Sequence, residues 1–342
     1  MIWTTWRQHR AEAGVAALIL AALAAGMLVV GSIARNRAIG LGLPGCTANR
    51  GDCSSALEAL HRDFHSIPPF TSALVAVPLL AGMFWAAPLI SREYEAGTHR
   101  LAWTQSVSPR RWITVKLVLI FAVLGVAAVG LGLLATWALD PLSPAFSGRY
   151  NSTWYDTQGV VPVACMLFAL AVGVAASGWI RRTIPAMAVT LVVYAAARIP
   201  IHWVRGHFAP VATRTATAPL TALLMNPDGD PQSVLATGSS VPTGSMVLKT
   251  TIFDSSGHAV HGQGNRNILL QFCPSLPPRG AISDQQRAAC APNLHGSLRA
   301  VTTYQPASHF WIIQAVESAI FVGAAALLVV VAVLAVSRHR PS

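Results

Sequence analysis

Hydrophobic positions along this chain come in long blocks rather than in alternation. Six apolar runs, Ala13–Ile33, Phe70–Ile90, Ile113–Leu139, Val160–Ile180, Ile184–Val204 and His309–Val336, are each long enough to cross about 30 Å of hydrocarbon at about 1.5 Å per residue. They predict six membrane-spanning helices. The first run is longer than a signal-peptide core and follows Glu12, so it reads as a retained span. Ahead of it, Ile2, Trp3 and Trp6 fall on one helical face with Arg7, Gln8 and Arg10 largely opposite. That pattern suits a short amphipathic helix lying at the membrane interface, or a charged leader with interfacial tryptophans.

Between the spans the pattern changes. Ser54 to Phe64 is apolar at Leu57, Leu60 and Phe64, a small helix closed by Pro68-Pro69. Within 205–308, Met246–Phe253, Asn267–Phe272 and Leu298–Tyr304 read as strands separated by Gly, Pro and Asn turns. The expected organisation is therefore an interfacial helix and spans one to five over 1–204, an extracytoplasmic domain over 205–308, and the last span with a tail over 309–342. In fold class this is an all-α polytopic membrane protein with a small, partly β domain before its last helix.

Charge sets the expected orientation. Arg7 and Arg10 precede the first span, Arg92, Arg100, Arg110, Arg111 and Lys116 lie between the second and third, Arg181-Arg182 between the fourth and fifth, and Arg338 and Arg340 at the end. Basic residues favour the cytoplasmic side, so both termini are expected there and 34–69, 140–159 and 205–308 outside. Four of the five cysteines then fall outside: Cys46 and Cys53 in the first segment, Cys273 and Cys290 in the last. Two local disulfides are the economical pairing, although sequence leaves crossed pairings open. Cys165, inside the fourth span, reads as a packing residue.

The net charge of +11 largely reflects this bias, and no basic run is interleaved with aromatics, so no nucleic-acid partner is expected. The few lysines (Lys116 and Lys249) against many arginines, with abundant Ala, Val and Gly, suggest a GC-rich bacterial genome. No metal site is expected, since His258 and His261 lack a matching Cys, Asp or Glu cluster. Nor does any nucleophile and base arrangement point to an enzyme.

The chain is 53% hydrophobic and only 11% charged, which makes the run from Ser91 to Lys116 conspicuous. It holds Glu93 and Glu95 on the side where basic residues alone would fix topology. The sequence contains no Gly-x-x-x-x-Gly-Lys-Ser/Thr phosphate loop, and its expected cytoplasmic segments are too short to bury a catalytic core. Any ATP-driven work needs a separate subunit, and 91–112 is the largest surface to receive one.

The run Glu93-Tyr94-Glu95-Ala96-Gly97-Thr98-x-x-Leu101-x-x-Thr104-x-x-Val107-Ser108-Pro109-Arg110, followed by Lys116 opening a span, resembles the loop after the second helix in type-2 ABC exporter permeases, actinobacterial-like in composition. In that family the stretch forms the coupling helix that sits in a groove of the ATPase. The resemblance implies ATPase-coupling roles for Glu93, Glu95, Gly97, Thr98 and Arg100, and an interfacial role for Trp3, Trp6 and Arg7. It further implies two copies of an ABC ATPase carrying ATP and Mg, no cofactor in this chain, and a second permease chain as a homodimer. It places the protein in the bacterial cell membrane as an exporter; the mostly apolar spans suit a lipophilic or amphipathic cargo, a drug, peptide or lipid.

Two charges lie within the apolar runs. Arg198 sits about 9 Å and Glu317 about 13 Å below the expected outer boundary, close enough in depth to pair, with Gln314 one turn above Glu317. They are expected to form an interhelical ion pair that fixes packing, or to line the translocation path. Two other functions fit parts of the pattern: a non-transporting membrane sensor or assembly protein that binds a partner through the external domain, and a gradient-driven transporter using Glu317.

Overall fold

The computed structural model describes residues 2–45, 53–97, 109–146, 148–217, 241–242, 244–254, 265–294 and 298–338, with Leu224, Pro227 and Ala259 as single residues. In chain order the helical elements of the first part are α1 (Ile2–Gly40), α2 (Ser54–Asp63), α3 (Pro68–Ala81), α4 (Pro88–Glu95), α5 (Pro109–Leu139), α6 (Val161–Ile180) and α7 (Thr183–Val204). Then come β1 (Ala212–Thr217), β2 (Met246–Asp254), α8 (Asn265–Phe272), α9 (Asp284–Leu294), β3 (Leu298–Gln305) and α10 (Phe310–Arg338). They form two units, Met1–Phe208 with Trp311–Ser342, and Ala209–Phe310.

Among the described residues, six helical stretches are long and apolar enough to cross a membrane: Ala17–Gly40, Phe70–Glu95, Ile113–Phe146, Val161–Ile180, Thr183–His207 and Ala307–Leu334. The six expected spans are therefore present, and the protein is an all-α polytopic membrane protein with one small sheet. One expectation needs correction. Residues 1–12 do not form a separate interfacial helix; Trp3, Trp6 and Arg7 belong to the first turns of α1, which runs unbroken to Gly40. Nothing between Glu12 and Ala17 stops it, because a lone Gly14 among Ala and Val costs only about 1 kcal/mol relative to Ala.

The second span is a composite. α3 passes into a wide π-turn at Gly82–Ala86, where Ala87 N donates to Gly82 O across 2.9 Å, and then into α4. Pro88 supplies the reason: it has no N–H to close an ordinary turn, and its ring would press on the carbonyl four residues back. The wide turn lies against α6, the most buried helix, whose small residues admit backbone at close range. A Cβ on Gly173 would stand 2.5 Å from Gly82 O and 2.8 Å from Ala86 Cβ, and one on Gly82 would stand 2.6 Å from Ala169 O. These two helices touch main chain to main chain, as small residues allow inside a bilayer. Around that seam Ala81, Ile90, Ile113, Leu117, Leu170 and Val174 form a buried cluster. At one end of the bundle, α2 and the turns of 140–155 close over α1 and α5 through Leu60, Phe64, Leu142, Phe146 and Trp154.

In the second unit, β3 is the central strand of an antiparallel sheet of order β1-β3-β2, with a bulge between Val247 and Lys249. Two of the expected strands are strands. The third, 267–272, is the helix α8, because Leu269, Cys273 and Leu276 must face one buried cluster together with Ile282 and Cys290. Leu269 and Cys273 are four apart, one helical turn, and Cys273 is disulfide-bonded to Cys290 with a Cα–Cα distance of 5.7 Å. Cys53 is also disulfide-bonded, and its expected partner Cys46 lies outside the described residues. Cys165 is free and buried in α6.

Candidate functional site

Two polar constellations stand out against this apolar framework, one at each end of the first unit. At the loop end, α4 stops at Glu95, and Gly97 takes a left-handed φ of 68°, the conformation that most often terminates a helix. Thr98 and Arg100 lie outside the described residues. α5 starts again at Pro109, whose fixed φ suits a first helical turn.

Consecutive residues at the end of α4 reach three different helices. Glu93 pairs with Lys116 of α5, a buried lysine. The ring of Tyr94 lies under the guanidinium of Arg181, 5.1 Å away, and Arg181 holds the left-handed C-cap of α6 with φ 58°. Glu95 accepts from Thr183 N at 2.9 Å and from Thr183 Oγ1 at 2.8 Å. The first turn of α7 thus takes its cap from α4: Arg182, at the N-cap position, offers no side-chain cap of its own, and a carboxylate there also meets the positive end of the helix dipole. Ser91 adds a second tie, its Oγ 2.9 Å from Thr183 Oγ1 while donating to Ala87 O at 2.8 Å. Sequence reading singled out Glu93 and Glu95; Thr183 was legible only as the residue after a basic pair, and Arg181 only as a topology charge.

At the opposite end lies a buried charge cluster. Glu317 of α10 and Arg198 of α7 are an ion pair, as their matching depths suggested. Along the helix axes Arg198 lies about 7.5 Å from the exposed Trp203 and Glu317 about 9 Å from the exposed Trp311, at about 1.5 Å per residue. The structure adds partners that sequence did not supply. Asp156 accepts from Arg198 Nη2 at 2.5 Å and from Arg205 Nη1 at 2.5 Å, with His202 Nδ1 3.7 Å from its other oxygen. Burial pushes the Asp156 carboxyl up, but the neighbouring His202, Arg198 and Arg205 outweigh it and hold it below the ordinary aspartate value. Arg205 stacks 4.4 Å over the Tyr155 ring, and Arg198 sits 5.7 Å over Phe321. Two acids and two arginines offset one another, which is what lets them stay buried.

Gln314 secures this cluster from above. Its Oε1 accepts from Val160 N and Val161 N, both at 3.0 Å, and its Nε2 donates to Tyr155 O and Gln158 O, both at 3.2 Å. One amide from α10 therefore satisfies the exposed start of α6 and the turn that carries Asp156. Gly159 makes room with φ 69°; a Cβ there would stand 2.8 Å from Gln314 Oε1. Replacing Gln314 with Ala removes four hydrogen bonds to the main chain, two to N–H and two to C=O groups. We expect a loss of about 2 kcal/mol in thermal unfolding, and faster amide exchange at Val160 and Val161.

Beside the cluster, a cleft of about 30 Å³ is lined mainly by apolar residues such as Met27, Leu74, Val77, Ala135 and Met166, and also by Asp156 and Thr157. Among the described residues, no three His, Cys, Asp or Glu side chains are grouped to hold a metal ion. His258 and His261 lie outside them.

Compared with known proteins, the chain matches the family described as ABC-2 membrane transporter related over residues 17–205. That stretch runs from the first span to the end of the fifth and includes the loop-end constellation, Asp156, Arg198 and Arg205. No curated protein and no solved structure matches the chain.

Proposed function

Because the chain belongs to the ABC-2 membrane transporter related family, we propose that it is the permease of an ATP-driven exporter, coupled through the 91–112 loop to a separate ATPase. Membership makes it a multi-pass transport subunit that works with an ABC ATPase rather than an ATPase itself. The finer reading is that two copies of the chain pair in the bacterial cytoplasmic membrane with both termini inside. Two ATPase subunits then bind ATP and Mg and press on the loop end.

One observation carries the coupling: Glu93, Tyr94 and Glu95, at the mouth of that loop, are fastened to α5, α6 and α7 at once. A loop that merely fixed topology would need no such ties. Thr98 and Arg100, just beyond Gly97, fall on the segment assigned to the ATPase groove. Trp3, Trp6 and Arg7, at the start of α1, are assigned to the same membrane face.

The cargo is lipophilic or amphipathic. Support comes from the apolar outer faces of α1, α5, α7 and α10, where Leu18, Val126, Val192 and Leu327 are among the exposed side chains. Arg198, Gln314 and Glu317 are assigned to holding the far end of the path in register as the spans tilt. Inside-out vesicles carrying both subunits are expected to accumulate a fluorescent lipophilic probe when given ATP and Mg. Accumulation driven by a proton gradient without ATP would overturn the assignment.

A further inference from the structure

Glu93 and Glu95 are natural candidates for docking on a basic groove, but their carboxylates are already engaged. Glu93 is spent on a lysine that is itself buried, and only 17% of its side chain is exposed. Glu95, although exposed, gives one carboxylate oxygen to each donor of Thr183. Between them Tyr94 faces inward to Arg181. On a helix, successive residues point about 100° apart, so three in a row fan around the axis and reach three neighbours. Here those neighbours are the starts of α5 and α7 and the end of α6, the three elements that a displacement of the loop would have to move.

We propose that Glu93, Tyr94 and Glu95 are a mechanical relay rather than a docking patch, with Lys116, Arg181 and Thr183 as the positioning residues that receive the motion. Gly97, whose φ is left-handed, lies just past the end of α4 and so just past these three residues. The relay rests on the permease reading given above and assigns it residues outside the loop.

Each tie has a different chemical tolerance. The Glu93 to Lys116 link is a paired charge with one partner buried, so it accepts exchange of the two charges but not loss of one. The Glu95 to Thr183 link is a helix cap in which the hydroxyl contributes one of two hydrogen bonds, so Val at 183 keeps volume and main chain and removes that bond together with the Ser91 contact. The Tyr94 ring under Arg181 tolerates Phe, which retains the π face, and not Leu.

The test uses the permease and its ATPase purified together and compares ATPase binding with the rise in ATP hydrolysis that the permease causes. Glu93→Lys is expected to leave the ATPase bound while lowering that rise about tenfold, the scale of a coupling free energy between two sites. Adding Lys116→Glu to it restores most of the rise, because the exchanged pair is internal to the chain. Thr183→Val, which does not touch the loop surface, reduces the rise with binding intact, and Thr183→Ser retains it.

If Glu93 instead contacts the ATPase, the exchange of charges does not rescue it and Glu93→Lys weakens binding; that result overturns the relay. Should the exchanged protein not fold, an unaltered rise in Thr183→Val overturns it equally. A wild-type chain that neither binds an ATPase nor changes its rate would remove the permease reading, and the relay with it, which is a different outcome from a bound ATPase indifferent to these variants.

Discussion

Replacing Arg198 with Leu is expected to destabilise the protein more than any other single change to its polar residues, by about 3–5 kcal/mol. Arg198 is the hub of the buried cluster, donating to Glu317 from one guanidinium nitrogen and to Asp156 from the other. Its removal leaves Glu317, which is 0% exposed, without its cation, and Asp156 with Arg205 and the more distant His202. Thermal unfolding in mild detergent checks it: Arg198→Leu alone melts far below wild type. The double variant Arg198→Leu, Glu317→Gln recovers most of the loss, since Asp156 keeps Arg205 as its partner and no charge is then stranded. Equal melting of wild type and Arg198→Leu would mean that water reaches these carboxylates.

The second large effect is expected at Gly173. Adding one methyl there by Gly173→Ala places a carbon 2.5 Å from the Gly82 carbonyl oxygen and 2.9 Å from Ala87 N. Main-chain atoms cannot swing aside as a side chain would, so α6 must shift against the π-turn. Overpacking of this kind costs about 1–3 kcal/mol, and this contact calls for the upper end. Gly130 and Gly323, which have nothing within 4 Å of a Cβ, are matched controls where Ala is neutral or mildly stabilising. Melting temperatures of the three Ala variants provide the comparison, and an unaffected Gly173→Ala would break the close-packed seam on which the description of α3, α4 and α6 rests.

Much of this architecture can be read from the chain because a bilayer imposes coarse demands. Each span needs about 20 apolar residues, and all six announce themselves by that length. Arg198 and Glu317 were also readable as a pair, since a charge in hydrocarbon needs a partner at its own depth. Asp156 was not readable: it lies outside the apolar runs, where an acid is unremarkable, and only the folding of 154–160 over α7 brings it to Arg198 and Arg205. The same holds for Thr183, whose importance comes from a carboxylate 88 positions earlier in the chain.

Local period misled in two places. Ile268-Leu269-Leu270 is an unbroken apolar run that fits strand or helix, and the disulfide-linked cluster around Cys273 decides for helix. β1, Ala212–Thr217, carries only Ala, Thr and Arg, and gains its strand identity from pairing with β3. The π-turn at Gly82–Ala86 has Pro88 as its one local signal, and the close approach of Gly173 that completes it is a tertiary fact.

The account turns on a division of labour: this chain has the spans and a tethered loop, and a partner supplies the ATP chemistry. The most direct measurement is ATP hydrolysis by the ATPase alone, by its complex with this chain, and by a complex in which residues 96–108 are replaced with a Gly/Ser segment of equal length. The account predicts that the intact chain binds the ATPase and raises its rate, and that the replaced loop abolishes the rise. An ATPase whose binding and rate are the same with either loop would contradict it.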